Sequence, residues 1–254
     1  MDLFDYMREN ALRQEAPLAV RMRPQSLEEI AGQAHILGKD KLLYRAVKAD
    51  AVGSMILYGP PGCGKTTIAE VISRETQSDF CRLNATTAGK KEMEEVIQRA
   101  KENFGRGRRT TLFVDEIHRF HKGQQDFLLP YVEDGTIALI GATTENPFFE
   151  VNAALLSRSR IFELKPLAAA DIAALLRRAM ADKERGYGNW SAVLTEEACA
   201  FLADAAAGDA RTALNALELG MKTTAPESDG CISITLSVAE DCIQKRVIRY
   251  DKDG

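Results

Sequence analysis

The stretch Val52-Gly-Ser-Met-Ile-Leu-Tyr-Gly-Pro-Pro-Gly-Cys-Gly-Lys-Thr-Thr67 decides how the rest of the chain is read. Val52 to Tyr58 is a short apolar run with the length and bounds of a buried strand. Gly59 stops it, and helical spacing begins after Gly64. Gly59-Pro60-Pro61-Gly62-Cys63-Gly64-Lys65-Thr66 thus sits between strand and helix in the order G-x-x-x-x-G-K-[ST]. Glycines there let backbone N–H groups curl around a phosphate, and the following helix aims its positive dipole end at the same anion. Lys65 would reach the β- and γ-phosphates, and the Thr66 hydroxyl would hold Mg²⁺. A chance match in a chain of this length is roughly a one-in-a-hundred event.

The 254 residues allow one large domain or a domain with a smaller companion. A net charge of −4 means that any nucleic-acid contact comes from a local basic face rather than from bulk charge. The five cysteines, Cys63, Cys81, Cys199, Cys231 and Cys242, are scattered and odd in number, which favours reduced thiols in the cytosol over a disulfide framework. No run approaches the ~18 apolar residues of a membrane span, and the acidic start MDLFDYMREN is unlike a secretion signal. A cytoplasmic protein without a membrane partner is expected.

Residues 1–16 carry a weak amphipathic pattern (Leu3, Phe4, Met7, Leu12) that reads as a loosely ordered terminus. In PLAVRMRPQSLEEIAGQ, residues 17–33, Ser26 and Glu29 are spaced as a capping box around a short helix. Beyond the phosphate loop, helix and strand alternate. Helices are expected over 66–76, 90–104 and 124–132, and strands over 79–83, 110–114, 136–142 and 161–164. Such alternation predicts an α/β fold with a mainly parallel sheet covered on both faces and its ligand at the carboxyl ends of the strands. From Pro166 the apolar spacing is helical. Helices are expected over 169–184, 195–206 and 209–223, with a last one opening near Thr235 and running to about Arg246. The predicted boundaries are an N-terminal segment 1–16, an α/β nucleotide-binding domain 17–165 and a small all-helical domain 166–254. The ending Arg249-Tyr-Asp-Lys-Asp-Gly254 has neither apolar periodicity nor a helix stop, so a longer chain is expected.

Leu112-Phe-Val-Asp115-Glu116 sets two carboxylates just past an apolar strand. The first suits Mg²⁺, directly or through its water, and the second suits a base that orients an attacking water. His118 and His121 are near, but Mg²⁺ prefers oxygen and no further His or Cys completes a zinc shell, so His118 reads as a loop tether and His35 as structural. In Gly141-Ala-Thr143-Thr144-Glu145-Asn146 a hydroxyl at the strand end could meet a γ-phosphate or its water; equally, β-branched Thr simply suits a strand end. Ser157-Arg158-Ser159-Arg160 offers an arginine more useful to a neighbouring subunit's nucleotide than to its own, or else a solvated pair. Asp209 is a natural N-cap, and Arg211 in the turn after it opposes the helix dipole, which asks for an anion partner. Arg106, Arg108 and Arg109, with Lys90, Lys91 and Lys101, form the densest basic patch. Such a patch is usually just solvated, with nucleic acid as the functional alternative.

Together these motifs resemble an AAA+ ATPase of the clamp-loader group. That resemblance makes Gly59 to Thr67 the Walker A loop for ATP and Asp115-Glu116 Walker B, with Thr66 and Asp115 on Mg²⁺. It makes Thr144 sensor 1, Arg211 in GDARTALNALE sensor 2, and the helical domain a lid. Ser157-Arg158-Ser159 is similar to the Ser-Arg-Cys motif that supplies a trans-acting arginine finger, with Ser159 where the family has Cys. Asn84 resembles the polar switch that holds the catalytic glutamate off-line. The segments PLAVRMRPQSLEEIAGQ, DEIHRFHKGQQDFLLPYVEDGTIALIGATTENPFFEVN and GDARTALNALELG narrow the likeness to a branch shared with the Werner-helicase-interacting ATPase. Membership of that branch implies a homo-oligomeric, DNA-stimulated ATPase at stalled replication forks, nucleoid-associated in the cytoplasm. Its implied partners are single-stranded, gapped or forked DNA, single-stranded-DNA-binding protein and replisome components. Also implied are a C-terminal oligomerisation domain further along and adenine contacts from Val20, Arg21, Ile30, Gly32 and Gln33. A clamp-loader subunit, a branch-migration motor and a nucleotide-gated binding module with little catalysis are the alternatives.

Overall fold

The computed structural model describes residues 16–243. They divide into two compact units: Pro24–Pro166, and a second that joins the residues up to Arg23 to those from Leu167 onward.

The first unit is built on five strands, β1 Met55–Tyr58, β2 Asp79–Asn84, β3 Thr110–Asp115, β4 Ala138–Thr143 and β5 Arg160–Glu163. They pair in parallel in the order β2-β3-β4-β1-β5. Because side chains alternate across a strand, neighbours in sequence feed opposite faces. Leu112 and Val114 join Ile56, Leu83 and Leu139 against the helices Lys90–Gly105 and Lys122–Glu133. Phe113 joins Met55, Leu57, Ile140 and Ala142 against Leu42–Lys48 and Lys65–Glu75. A sheet buried on both faces explains why its strands read as continuous apolar runs.

The alternating elements fall where periodicity expects them, and their ends differ by a few residues. The first strand starts at Met55 rather than Val52. Ser54 already meets its neighbours, however: its carbonyl accepts from Arg160 N (3.0 Å) and its hydroxyl from Leu139 N (2.9 Å). Ser26 opens only a three-residue 3₁₀ turn, Leu27–Glu29, and makes no side-chain cap, so the expected capping box is not formed. The short helices Ala34–Leu37, Leu42–Lys48, Pro147–Glu150 and Ala153–Leu156 are not expected from the spacing, since one or two turns show too little periodicity.

The second unit packs Ala169–Ala181, Glu196–Ala205, Ala210–Thr223 and Leu236–Cys242 around Ile172, Leu176, Leu202 and Leu217. The helix expected to reach residue 184 stops at Ala181, because the Asp182 carboxylate accepts from the backbone N–H groups of Glu184 and Arg185 and turns the chain. This region also holds a small parallel pair, β6 Ala192–Leu194 and β7 Ile232–Ile234, so it is not all-helical.

Residues 17–23, expected with the sheet domain, belong to this second unit instead. Leu18 N donates to the buried Glu218 carboxylate (2.8 Å), Arg21 donates to Arg185 O (2.9 Å), and the Arg21 guanidinium lies 5.5 Å from the Tyr187 ring centre. The amphipathic pattern of Leu3, Phe4, Met7 and Leu12, the continuation of the last helix to Arg246 and the ending 249–254 lie outside the described residues. Among the described residues no helix is long and apolar enough to cross a membrane.

Candidate active site

Parallel strands all end on the same edge of the sheet. The loops after β1, β3 and β4, adjacent in the order β3-β4-β1, therefore emerge side by side.

The loop after β1 is the glycine turn. Gly59 lies so close to the Leu164 carbonyl that a Cβ would run into it. Gly64 takes φ 103°, a conformation open to glycine, and opens Lys65–Glu75 without a side-chain cap or an acidic residue in the first turn. The first N–H groups of that helix are therefore available to an external acceptor. Lys65 is only 9% exposed and its Nζ donates to Gly59 O (2.7 Å) and Pro60 O (2.9 Å). Among the described residues no carboxylate pairs with it, so a buried ammonium rests on two neutral carbonyls beside an uncapped helix start. Such a cradle fits an anion. Cys63 is buried in the core beneath the loop.

The loop after β3 carries the two carboxylates. Asp115 continues the strand and its Oδ2 accepts from Arg82 on β2 (2.7 Å). Glu116 departs from it with φ 53° and ψ 48°, a left-handed conformation costing a non-glycine residue ~1 kcal/mol or more. That turn sends successive carboxylates in different directions. Glu116 Oε2 lies 3.4 Å from the Thr144 hydroxyl, which donates to it, and 3.3 Å from His118 Nδ1. The His118 side chain is largely buried, with Nδ1 also 2.8 Å from the Thr143 hydroxyl. The adjacent threonines thus divide: Thr143 faces inward and binds His118 and the Glu145 backbone, while Thr144 meets the carboxylate. Thr66 and Asp115 offer the hard oxygen donors that suit Mg²⁺.

Other expected residues sit elsewhere. Asn84 pairs in register with Asp115, but its Oδ1 accepts from Thr86 N (3.0 Å) and the Thr86 hydroxyl (2.7 Å), closing a turn. Gln33 takes φ 54° and is buried, with its amide tying Cys63 O (3.3 Å) to Lys165 O (2.8 Å) and N (3.1 Å). It braces the phosphate loop from below. His35 accordingly closes the same region by a 2.8 Å contact with Glu163 O. Val20, Arg21 and Arg211 lie in the other unit, Arg211 in the first turn of a helix capped by the Asp209 carboxylate. Arg158 projects from the end of Ala153–Leu156 and is held by Glu133 (2.6 Å), Ala154 O (3.0 Å) and the Ser157 hydroxyl (2.9 Å). Spacing does not single out Arg82 or Glu133, since both pairings join residues distant in sequence. The basic patch is partly neutralised: Arg109 pairs with Asp50, Lys90 with Glu94 and Lys91 with Glu95.

Comparison with known proteins agrees with this geometry. Residues 55–167 match the ATPase family associated with various cellular activities (AAA), and residues 188–254 match the AAA C-terminal domain. The chain is 50% identical over 238 residues to replication-associated recombination protein A of Escherichia coli K12, covering 94% of this chain and 53% of that protein. It is 49% identical to the protein of the same name from Bacillus subtilis, covering 94% and 56%. The chain thus spans about half the length of these curated relatives. Among solved structures, the Thermotoga maritima RuvB Holliday junction branch migration motor superposes with a TM-score of 0.65 at 24% identity, over 87% of this chain and 72% of that one, a likeness of fold. An anion cradle after β1, a carboxylate pair after β3 two strands away and two matching domain signatures make the same assignment: the chain belongs to the AAA ATPases, with the replication-associated recombination proteins among its relatives.

Proposed function

We propose that the protein hydrolyses ATP with Mg²⁺ and couples the cycle to DNA at stalled replication forks, where single-stranded-DNA-binding protein and the replisome are its partners. The buried, carboxylate-free Lys65 ammonium at an uncapped helix start is the observation that carries the nucleotide half of this proposal.

In this mechanism Lys65 turns from its two loop carbonyls to the phosphate oxygens, and the Gly62–Thr67 backbone supplies the remaining donors. Mg²⁺, when held by Thr66 and Asp115, supplies charge to the phosphate oxygens. Arg82 is half-exposed and can swing from Asp115 into water. Glu116 acts as general base. Its Oε2 is engaged by Thr144 and His118, which leaves Oε1 to take the proton of the attacking water. Thr144 links that carboxylate to the γ-phosphate, as sensor 1 does in the clamp-loader group. Arg211 takes the sensor 2 role, and Arg158 completes the site of a neighbouring copy. The Ile30–Gly32 turn is kept for adenine, whereas Arg21 and the Gln33 amide are committed to internal contacts.

Glu116→Gln tests the proposal. Turnover should fall about 10²- to 10⁴-fold with nucleotide affinity preserved. The same assay with single-stranded, gapped and forked DNA tests the DNA half, for which at least one of the three should accelerate the parent protein. Unchanged turnover in Glu116→Gln removes the carboxylate from its role.

A further inference from the structure

Two phenylalanines stand out from the sheet unit. Phe148 and Phe149 are 65% and 82% exposed on Pro147–Glu150, the short helix that follows Thr143-Thr144-Glu145-Asn146. The backbone beneath them is held. The Asn146 side chain caps the helix by accepting from Phe148 N (3.0 Å), and Val151 is buried. The buried Gln125 donates to Glu150 O (3.2 Å) and accepts from Asn152 N (2.7 Å), while Asn152 also bonds Asp126. Two large apolar rings are therefore presented to solvent on a fixed base, which is the mark of a contact surface.

The base also says what covers them. Gln125 and Asp126 lie on Lys122–Glu133, and the far end of that helix is Glu133, the partner of Arg158. Pro147–Glu150 packs on Ala153–Leu156, whose end carries Arg158. The aromatic pair and the finger arginine thus share one rigid support. Asp126 and Glu133 are seven residues, about 10 Å, apart on one face of that helix, so a neighbour that receives Arg158 has the ring-bearing segment within reach. Charge disfavours the other natural occupant, a stacked nucleic-acid strand: Glu145 and Glu150, both exposed, flank the pair and repel phosphate.

We propose that Phe148 and Phe149 are the apolar anchors by which one copy of this chain docks its finger-bearing face on the next. The inference rests on the trans role of Arg158. Such a contact is heterologous, so the rings are needed on the copy that gives the finger and not on the copy that receives it.

Mixing two defective chains tests this. Lys65→Ala keeps the finger but loses its own phosphate site, and Arg158→Ala keeps the site but loses the finger, so turnover appears only when the two meet. Phe148→Ser with Phe149→Ser in the Lys65→Ala chain should lower mixed turnover roughly tenfold or more at sub-saturating protein, recovering at higher concentration. The same pair of changes in the Arg158→Ala chain should leave it unchanged. Phe149→Ser alone, at the more exposed ring, should give a partial loss in the donor, and unshifted melting of each variant shows that it folds. Full turnover with the substituted donor, loss whichever chain is substituted, or loss seen only with DNA present each overturns the proposal. Binding of ATP to the Arg158→Ala chain is read separately by thermal shift, and its absence refutes the ATP site itself. If the unsubstituted pair gives no turnover, sedimentation of the parent against the double-Ser variant decides: weaker self-association of the variant supports the docking role, and equal behaviour overturns it.

Discussion

Arg158, proposed to serve another copy's site, is parked on its own chain. Its guanidinium is held by Glu133, Ala154 O and the Ser157 hydroxyl, all on its own subunit. Both partners of the ion pair are 42% exposed, and such a pair contributes about 0–1 kcal/mol, weak enough for a triphosphate to displace it. Glu133→Ala should therefore move stability by no more than about 1 kcal/mol in urea denaturation. Arg158→Ala should lower turnover about 10³-fold or more while leaving ATP affinity in place, measured by steady-state hydrolysis beside equilibrium binding. The left-handed backbone of Glu116 belongs to the same scale. Local strain there separates the Glu116 carboxylate, the proposed general base, from that of Asp115 directly before it.

At the scale of elements, β4 shows what the sheet requires of one position. Gly141 lies between β1 and β3, and a Cβ there would come within 2.7 Å of Ile56 Cδ1 and 2.9 Å of Ile117 Cδ1, both in the buried core. Gly141→Ala should overpack that layer and cost about 1–3 kcal/mol, read as a lower denaturation midpoint. At the start of β2, Asp79 joins the sheet to Lys90–Gly105 through Arg99 (2.6 Å) and the buried Asn103 (2.8 Å). Burial pushes the Asp79 carboxyl up, but the Arg99 and Asn103 hydrogen bonds outweigh it and hold the group below the ordinary 3.8. Because the folded-state value is the lower one, the stabilisation is fully present above the unfolded value and fades as pH falls through the folded one. Asp79→Ala leaves Asn103 short of a partner and should cost about 1–3 kcal/mol at neutral pH. The gap between variant and parent should close below pH 3.8 in acid titrations followed by circular dichroism.

For the molecule as a whole, ATP with Mg²⁺ should protect against heat, by about 2.7 kcal/mol at a hundredfold excess over the dissociation constant. On the proposed trans role of Arg158, turnover per chain should rise with protein concentration. A per-chain rate that stays flat over a wide dilution series would count against the trans finger. Residue order alone determined the glycine turn, the carboxylate pair, the helix–strand alternation and the change of texture at Pro166, because each is a local pattern of spacing and chemistry. Only tertiary structure decided that residues 17–23 join the helical unit, that Thr144 rather than Thr143 meets Glu116, that Gln33 braces the phosphate loop and that Glu133 holds Arg158. Those outcomes join residues from distant parts of the chain, and an ion pair or a buried amide leaves no periodic trace along the sequence that folds to form it.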